Sequence, residues 1–445
     1  MFKPFLFVLS VHSLLTEAQT ISVSVPALAP SSAPSLPGSL ISFSIEQDRW
    51  VDWIGQESRN DFFFNVLDNL KSITGEAPHI RIGADSEDHT DFSRTFSEAI
   101  FPASNPTTPY PEATNVTSAK GTEVIWGVNF GTDNLTAAFL ETQAIVQAFT
   151  SPAMKTAGVT LQAMEIGNEA DLYGNNGHRN SSFNAQQYTS HISQHHYEGS
   201  FCSGSNGLLQ DLLSKAHTRG NLSAFAPDIA AAQQRGLQYV LGETNSYSCH
   251  GAPGVSNVAG TALWGLDYAL FAAQLGVQRV HFHEGVGYKY NFPVTLTRSI
   301  LDGSTLETPL APHIQPLYYA AIVAAEAIGK SGATRAVELN TTNDQIAGYA
   351  FFEHDTLARA AFINLKSFTE GTRGSVHVDL TGGAAGEMTV RRLSIPTANA
   401  TSGVSWGGQT YETSDGKVSG SLKTSRVSVR AGVDVNDTEV VLLTF

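Results

Sequence analysis

The 445-residue sequence has few charged residues, and those it has are mostly acidic. Asp, Glu, Lys and Arg make up 15% of the chain, against roughly 25% in an average soluble protein. The 41 acidic residues outnumber the 26 basic ones, which gives a formal net charge of −15. The longest basic run is the doublet Arg391-Arg392. This composition argues against a nucleic-acid-binding surface and against a polybasic membrane patch.

Long apolar runs and cysteines are scarce as well. Outside the N-terminus no run approaches the ~18 apolar residues of a membrane span. At the N-terminus, Lys3 precedes an apolar stretch at residues 4–15, and small residues follow near position 18. We therefore predict a secretory signal peptide at residues 1–19, with a membrane anchor as the alternative. Cys202 and Cys249 are the only cysteines, and in an exported protein we expect them to form a disulfide.

Asn-x-Ser/Thr sequons are frequent in this sequence. Seven follow the predicted signal peptide, at Asn115, Asn134, Asn180, Asn221, Asn340, Asn399 and Asn436. One sequon is weak evidence of modification, but seven after a signal peptide predict a secreted glycoprotein. Glycans would also keep a surface with few charges soluble.

Residues 39–330 alternate between strand-like and helix-like patterns. Strands are predicted at 40–45, 79–82, 123–130, 161–166, 224–230, 239–242 and 279–283. Helices are predicted near 59–70, 136–155, 184–198, 206–217, 261–275 and 316–328. Several strands are continuous apolar runs, as expected for parallel strands covered on both faces. The count predicts a (β/α)₈ TIM barrel, because a doubly wound sheet would more often carry the G-x-G-x-x-G turn that this sequence lacks.

The pattern changes after residue 330. Short alternating runs separated by Gly, Asn, Ser and Asp predict a C-terminal antiparallel β-sandwich over residues 331–445. Residues 20–38 contain a short strand and a Pro/Ser/Ala-rich linker. Because the strand at 21–25 has no partner nearby, it is predicted to join the C-terminal sheet.

Four carboxylates follow predicted barrel strands directly, where a TIM barrel places its catalytic groups. They are Glu46, Glu169, Glu243 and Glu284. A pair of facing carboxylates is what glycoside hydrolysis requires, one as acid and the other as nucleophile or base. Asn168, beside Glu169, can hold a sugar hydroxyl without adding charge.

Three segments resemble glycoside hydrolase family 79, which contains β-glucuronidases and heparanase. They are residues 164–173 (MEIGNEADLY), 241–246 (LGETNS) and 281–292 (HFHEGVGYKYNF), and residues 315–329 are also similar. The resemblance implies that Glu169 is the general acid/base and Glu284 the nucleophile of a retaining reaction that needs no cofactor and no metal. Glu243 stays open as the rival nucleophile or as a hydrogen-bonding support.

The resemblance also implies a set of substrate-binding residues. Glu46 and Gln47 should bind sugar hydroxyls with help from Asp85, and Tyr318 should contact the uronate carboxylate. Other candidates lie in the loops after the last two strands of the predicted barrel: Tyr247, Tyr288, Lys289 and Tyr290. Lys289 could pair with a uronate through its ammonium group.

The charge balance favours one substrate class within that family. A chain at −15 without a basic cluster would repel a sulfated polymer. We therefore expect a secreted exo-β-glucuronidase that removes terminal glucuronic acid, or its 4-O-methyl form, from glycans such as arabinogalactan side chains. A heparanase-like endo-enzyme and an inactive carbohydrate-binding relative are the alternatives.

Two other motifs are interpreted as coincidental. Residues 403–407 fit the G-x-S-x-G nucleophile pattern, but no helix follows them. His191 and His195 are four residues apart on the helix predicted at 184–198, without a third metal ligand. We expect these histidines on an exposed helix face.

Overall fold

The computed structural model describes residues 19–47, 50–55, 58–89, 92, 120–181, 193–202, 207–285, 287–294 and 311–445. Residues 1–18 of the predicted signal peptide lie outside these ranges, as do Asn115 and His191. The strands are β1 (Gln19–Val25), β2 (Ile41–Glu46), β3 (Ile80–Gly83), β4 (Glu123–Val128), β5 (Thr160–Ile166), β6 (Ser193–Ser200), β7 (Val240–Ser248), β8 (Arg279–Glu284), β9 (Pro293–Val294), β10 (His313–Ile314), β11 (Thr334–Glu338), β12 (Ile346–Glu353), β13 (Thr356–Asn364), β14 (Ser375–Gly382), β15 (Glu387–Ser394), β16 (Ser405–Trp406), β17 (Ser425–Ser428), β18 (Val433–Asn436) and β19 (Glu439–Thr444). The helices are α1 (Trp50–Ile54), α2 (Asp61–Thr74), α3 (Leu135–Phe149), α4 (Pro152–Ala157), α5 (Tyr173–Asn176), α6 (Leu209–Leu212), α7 (Lys215–Ser223), α8 (Ala226–Gln234), α9 (Gly260–Leu275) and α10 (Tyr318–Ile328).

Seven strands form a parallel sheet in the N-terminal domain, in the order β5-β4-β3-β2-β8-β7-β6. The central strands β2 and β3 are buried along their whole length. Helix α10 packs against both α2 and α9 beside this sheet. A parallel sheet brings the carboxyl ends of its strands to one edge, and that edge carries the candidate carboxylates.

The prediction of a parallel eight-stranded barrel is confirmed in part, as a parallel sheet of seven strands within the described ranges. Strand β2 pairs directly with β8, Ile41 opposite Val280, so no eighth strand lies between the first and the seventh. The two ends of the sheet are β5 and β6, and no backbone pairing joins them within the described ranges. Their side chains do meet, since Glu165 Oε1 lies 3.5 Å from His195 Nε2.

Two segments have a secondary structure different from the predicted one. Residues 193–200 form strand β6 rather than the end of a helix, and residues 226–234 form helix α8 rather than a strand. Along β6 the side chains alternate: His195 reaches the carboxylates of the sheet edge, while His196 hydrogen-bonds Tyr268 on α9. The spacing of four between His191 and His195 therefore does not indicate a helix face. In α8, Pro227 occupies the first turn, where proline favours helix initiation.

The C-terminal domain is built from two sheets with a shared apolar core. The larger has the order β11-β12-β13-β19-β15-β16, with β17 on β15, and all its pairings are antiparallel. The smaller has the order β1-β14-β18, in which β1 is parallel to β14 and Gln19 lies opposite Val376. Val23, Phe362 and Leu443 are fully buried between them. The N-terminal strand thus closes one side of a domain that begins more than 300 residues later.

The predicted disulfide is confirmed. Cys202 and Cys249 are bonded, with 5.0 Å between their Cα atoms. Cys202 follows β6 and Cys249 follows β7, so the bridge ties two neighbouring loops at the carboxyl edge of the parallel sheet.

The sequons differ in how accessible they are. Asn134, Asn180, Asn340 and Asn399 are exposed, whereas Asn221 and Asn436 are half-buried. The Asn221 Nδ2 atom, where a glycan would attach, donates to the buried Glu198 carboxylate at 2.8 Å. It also lies 3.0 Å from His217 Nε2.

We therefore predict that Asn221 stays unmodified in the folded glycoprotein while Asn134 carries a glycan. The reason is that a sugar on Asn221 Nδ2 would displace a hydrogen bond to a buried carboxylate. Peptide mapping by mass spectrometry, after expression in a eukaryotic host, measures both sites in one sample. High glycan occupancy at Asn221 in correctly folded protein would refute this prediction.

Candidate active site

A single guanidinium organises the carboxyl edge of the parallel sheet. Arg81, on β3, is completely buried. It donates to Glu165 from Nε, to Glu243 Oε2 at 2.8 Å and Ser44 Oγ at 2.9 Å from Nη1, and to Asn168 Oδ1 at 3.1 Å from Nη2. Because the fork of Arg81 has a fixed geometry, these side chains are held in fixed relative positions.

Glu243 points into this edge from β7. Its Oε1 atom accepts a hydrogen bond from the Tyr197 hydroxyl at 2.7 Å, and its Oε2 atom accepts one from Arg81. The pairing of β7 with β8 shifts register between Leu241 and Thr244, on either side of Glu243. Such bulges re-aim side chains and are frequent beside active sites.

The charges around Glu243 keep it ionised. Burial favours its neutral form, but the nearby positive charges of His283, His195 and Arg81 lower the pKa of Glu243 well below its usual range. An ionised carboxylate that is a weak base suits a nucleophile, because it also leaves readily in the second half of a double displacement.

Glu169 occupies the opposite side of the site, directly after β5. Its side chain is 35% exposed, against 10% for Glu243. The backbone of Glu169 is left-handed, with φ 49° and ψ 44°, a conformation that is strained for a residue with a Cβ and that clusters at functional sites. Gly167, two residues earlier, has φ 78°, and a Cβ there would lie 2.1 Å from the Tyr173 hydroxyl. The sequence Gly167-Asn168-Glu169 thus forms a tight turn that presents the Glu169 carboxylate to solvent.

His195 lies between the two carboxylates. Its Nδ1 atom is 3.4 Å from Glu169 Oε1 and 3.9 Å from Glu243 Oε2. Burial alone would lower the pKa of His195, but Glu243, Glu165 and Glu169 raise it to about 9. The sum of the two distances is an upper limit on the separation of the two oxygens, and it admits the roughly 5.5 Å between the carboxyl groups of retaining glycosidases.

Glu46 and His283 form another side of the site. Glu46 Oε1 lies 3.4 Å from His283 Nε2, and Glu46 Oε2 accepts a hydrogen bond from Ser86 Oγ at 2.7 Å. Burial favours a neutral Glu46, but His283 lowers its pKa below the usual value. The rings of Tyr288 and Tyr290 lie 5.7 and 6.1 Å from the His283 ring. The predicted residues Glu46, Tyr288 and Tyr290 therefore do meet at one place.

The predicted nucleophile Glu284 lies on the wrong face of its strand. Side chains alternate along β8, so His283 points to Glu243 while Phe282 and Glu284 point away from it, Phe282 toward Trp264 of α9. Glu284 is fully buried, and both of its oxygens accept from the Phe292 backbone N–H, at 2.9 and 3.2 Å. Burial raises the pKa of Glu284 well above its usual value. The geometry therefore favours the rival, Glu243, over the predicted Glu284.

Tyr318, the predicted contact of the uronate carboxylate, has its hydroxyl bound to another helix. It is fully buried at the start of α10, where its hydroxyl donates to the Val66 carbonyl at 2.8 Å and accepts from Asn69 Nδ2 at 3.3 Å. Both partners belong to α2. Tyr318 therefore joins two helices behind the sheet and cannot contact a uronate at the sheet edge.

Two more predicted contacts point elsewhere. The Tyr247 hydroxyl bonds the backbone N–H and carbonyl of Leu208, both at 3.1 Å. Gln47 Nε2 lies 3.4 Å from the Gly127 carbonyl and from Glu141, on the far side of β4. These side chains support the loops and do not line the site.

Asn168, Asp85 and Lys289 complete the predicted set. Asn168 is buried and bound to Arg81, so it belongs to the site. Asp85 follows β3 with a side chain that is 82% exposed. Lys289 is half-buried beside Tyr288, and burial lowers its pKa.

Sequence analysis missed the network of charges beneath the carboxylates. The missed residues are Arg81, Tyr197 and the inward role of His195. One signal was available, because an arginine inside the apolar strand Ile80–Gly83 needs a buried acidic partner. No group of three or more potential metal-ligating side chains occurs among the residues that the structure describes, and no helix in the same ranges is long and apolar enough to cross a membrane.

Comparison with known proteins finds similarity to glycoside hydrolases. Residues 348–442 match the family described as the glycosyl hydrolase family 79 C-terminal beta domain. A β-glucuronidase of Aspergillus niger is 28% identical over 516 aligned positions, covering 94% of this chain and 91% of the relative. A β-glucuronidase of Neurospora crassa is 24% identical and covers 92% and 90%. Since 516 positions exceed the length of this chain, the relatives carry residues without a counterpart here.

Solved structures share the fold. A 4-O-α-L-rhamnosyl-β-D-glucuronidase from Fusarium oxysporum, in its Rha-GlcA complex, superposes with a TM-score of 0.75 at 22% identity, covering 96% of this chain and all of that one. A family 51 α-L-arabinofuranosidase from Bifidobacterium longum gives a TM-score of 0.56 at 15% identity, covering 95% and 99%. The family match and the two curated relatives identify the chain as a glycoside hydrolase that carries the C-terminal domain of family 79.

Proposed function

We propose that this enzyme is a retaining exo-β-glucuronidase in which Glu169 is the general acid/base and Glu243 the nucleophile. The observation that carries the proposal is the position of both carboxylates within 4 Å of one imidazole, His195, at the carboxyl edge of a parallel sheet. The proposed sugar follows from the similarity to β-glucuronidases. The proposed retention is compatible with the upper limit on the separation of the two carboxylates, which admits the roughly 5.5 Å of retaining enzymes.

In the first step, the ionised Glu243 attacks the anomeric carbon while protonated Glu169 gives its proton to the glycosidic oxygen. The C1–O bond to the aglycone breaks, the aglycone leaves as an alcohol, and an ester forms between C1 and Glu243. Arg81 and Tyr197 hold the two oxygens of Glu243 before the attack. The exposed side of Glu169 is where the leaving group can exit to solvent.

In the second step, Glu169, now ionised, takes a proton from water. The water oxygen bonds to C1, the ester to Glu243 breaks, and the configuration at C1 is the same as in the substrate. Glu243 regains its charge beside Arg81, His195 and His283, whose positive charges favour its departure.

The uronate carboxylate has a candidate partner in the loop after Glu243. Three consecutive residues there have positive φ: Cys249 at 57°, His250 at 71° and Gly251 at 84°. Successive backbone N–H groups in such a turn form a concave anion site. The disulfide to Cys202 and a hydrogen bond from Lys289 N to His250 O, at 2.8 Å, hold this turn. This assignment replaces Tyr318 and keeps Lys289 as a nearby cation.

The decisive substrate comparison uses a small glucuronide and a sulfated polymer. We expect release of p-nitrophenol from p-nitrophenyl β-D-glucuronide without depolymerisation of heparan sulfate, because an acidic protein repels a polyanion. The matched p-nitrophenyl β-D-glucoside, which carries CH2OH in place of the carboxylate, should react at least ~100-fold more slowly because the polar groups that bind the carboxylate lose their charged partner. Shortening of heparan sulfate would support an endo-enzyme instead, and tight glucuronate binding without turnover would support an inactive carbohydrate-binding protein.

We also propose that the enzyme is an exported glycoprotein that trims uronic acid from glycans such as arabinogalactan side chains. The apolar N-terminal stretch, the sequons and the disulfide support export, because disulfides persist in oxidising compartments. We further propose that β5 and β6 close the sheet into a barrel, since His195 on β6 reaches Glu165 on β5.

A further inference from the structure

Asp88 is a buried carboxylate that takes no direct part in the reaction steps above. It lies in the short 3₁₀ helix Asp85–His89 after β3 and is 2% exposed. Its Oδ1 atom accepts from the backbone N–H groups of Phe130 at 3.2 Å and Gly131 at 3.0 Å. Its Oδ2 atom accepts from the Asn168 N–H at 3.0 Å and from the Tyr173 hydroxyl at 2.6 Å.

These four hydrogen bonds tie three loops together at the carboxyl edge of the sheet. Phe130 and Gly131 follow β4, while Asn168 and Tyr173 follow β5. The N–H of Asn168 is the group immediately before Glu169, whose left-handed backbone needs support from its surroundings to persist. Within the described ranges, Asp88 is the side chain that reaches this N–H.

We propose that Asp88 is a positioning residue for acid catalysis, which holds the Gly167-Asn168-Glu169 turn so that the Glu169 carboxyl meets the leaving oxygen. The inference rests on the proposed function, because it assigns the acid step to Glu169. Asp88 acts through the backbone of Asn168 and contacts neither the sugar nor the aglycone. Small displacements of a catalytic group are costly, since proton transfer needs hydrogen-bond distance to the leaving oxygen.

The substitution Asp88→Asn tests this arrangement while keeping the size of the side chain. The amide nitrogen of Asn is a donor, and it would face donors at either end: two N–H groups at one, an N–H and a hydroxyl at the other. The turn should therefore rearrange locally. Tyr173→Phe is the milder variant, because it removes one hydrogen bond from Oδ2 and leaves the Asn168 bond in place.

The readout is the dependence of kcat/KM on the leaving group. An alkyl glucuronide needs protonation by Glu169, whereas 2,4-dinitrophenyl β-D-glucuronide does not. We expect Asp88→Asn to lose roughly 100-fold on the alkyl glucuronide and less than about 3-fold on the dinitrophenyl one, since general acid catalysis contributes about that much. Tyr173→Phe should change kcat/KM for both substrates in the same direction as Asp88→Asn does. The loss on the alkyl glucuronide should be roughly 10-fold.

Asp437→Asn is the matched control. Asp437 is a buried carboxylate in the β-sandwich that accepts from the Gly374 N–H at 3.1 Å and lies 3.0 Å from Lys366 Nζ. It should lower stability without changing the ratio between the two substrates. An equal loss on both substrates in Asp88→Asn, or no loss on either, overturns the positioning role.

If the wild type hydrolyses no glucuronide, the proposed function fails. Asp88 is then tested by a crystal structure of Asp88→Asn, in which Glu169 should leave φ near 49° and in which an unchanged turn overturns the inference.

Discussion

Replacing Glu243 with Gln is expected to lower kcat for p-nitrophenyl β-D-glucuronide by at least ~10,000-fold, the scale seen when a catalytic nucleophile is removed. A neutral amide cannot form the glycosyl ester, although it fits the space between Tyr197 and Arg81. Because the turn at residues 249–251, the proposed partner of the uronate, is unchanged, sugar binding should persist, so KM should change little. Steady-state kinetics on purified protein measures both constants.

Glu284→Gln is the matched comparison, because the same chemical change is made in the buried carboxyl on the next strand. Glu284 already favours its protonated form, which Gln mimics in shape, and its carboxyl faces the backbone of Phe292. We expect kcat within about 3-fold of the wild type, as for a substitution that removes no group from the reaction. If Glu284→Gln is inactive while Glu243→Gln retains activity, the original assignment of Glu284 was correct.

The second large effect is expected at Glu169. In Glu169→Ala, hydrolysis of glucuronides with poor leaving groups should fall by roughly 1,000-fold because no acid protonates the departing oxygen. On 2,4-dinitrophenyl β-D-glucuronide the first step needs no acid, so the glycosyl ester on Glu243 should accumulate. Azide should then restore turnover on this substrate, because it attacks C1 in place of water, releases the ester of Glu243 and needs no general base.

The product of azide rescue reports which carboxylate was removed. Glu169→Ala should give the β-glucuronyl azide, since two inversions restore the configuration. Glu243→Ala with azide should give the α-azide by one displacement. The opposite pattern of anomers would exchange the two roles, and hydrolysis of poor leaving groups by Glu169→Ala at the wild-type rate would exclude it as the acid.

Much of the fold could be read from local patterns. Short runs at 40–45, 79–82 and 279–283 were sufficient to predict β2, β3 and β8, because they are rich in Ile, Val and Phe, which favour strands. Strand β6 could not be recognised in this way. Its sequence Ser193–Ser200 is polar because one face lines the active site with His195 and Tyr197. Strands with a functional face lose the pattern that identifies them.

Only part of the site could be predicted from the sequence. The main difference concerns which of two neighbouring residues on β8 points toward the site. The structure places the predicted residues Glu169, Asn168 and Glu46 at strand ends, where the chain turns toward the candidate site. Glu284 also ends a strand, but strand periodicity turns its side chain away and turns His283 inward. An assignment by position along the chain ignores which face a side chain occupies.

The ionic network could not be predicted because it joins residues that are far apart in sequence. Arg81 meets Glu165 and Glu243, which are 84 and 162 positions away. Their meeting depends on the order of strands in the sheet, and a direct β2–β8 pairing was itself not foreseen. Long-range pairing thus determines the protonation states that the chemistry needs.

The most direct test of the account is to trap the glycosyl-enzyme intermediate. Incubation with 2-deoxy-2-fluoro-β-D-glucuronyl fluoride should inactivate the enzyme with one equivalent of label, because the fluorine slows release of the ester. After digestion, tandem mass spectrometry should locate the label on Glu243, in the segment 240–248 that forms β7. A label on Glu284, or an unlabelled enzyme that still hydrolyses glucuronides with inversion, would contradict the account.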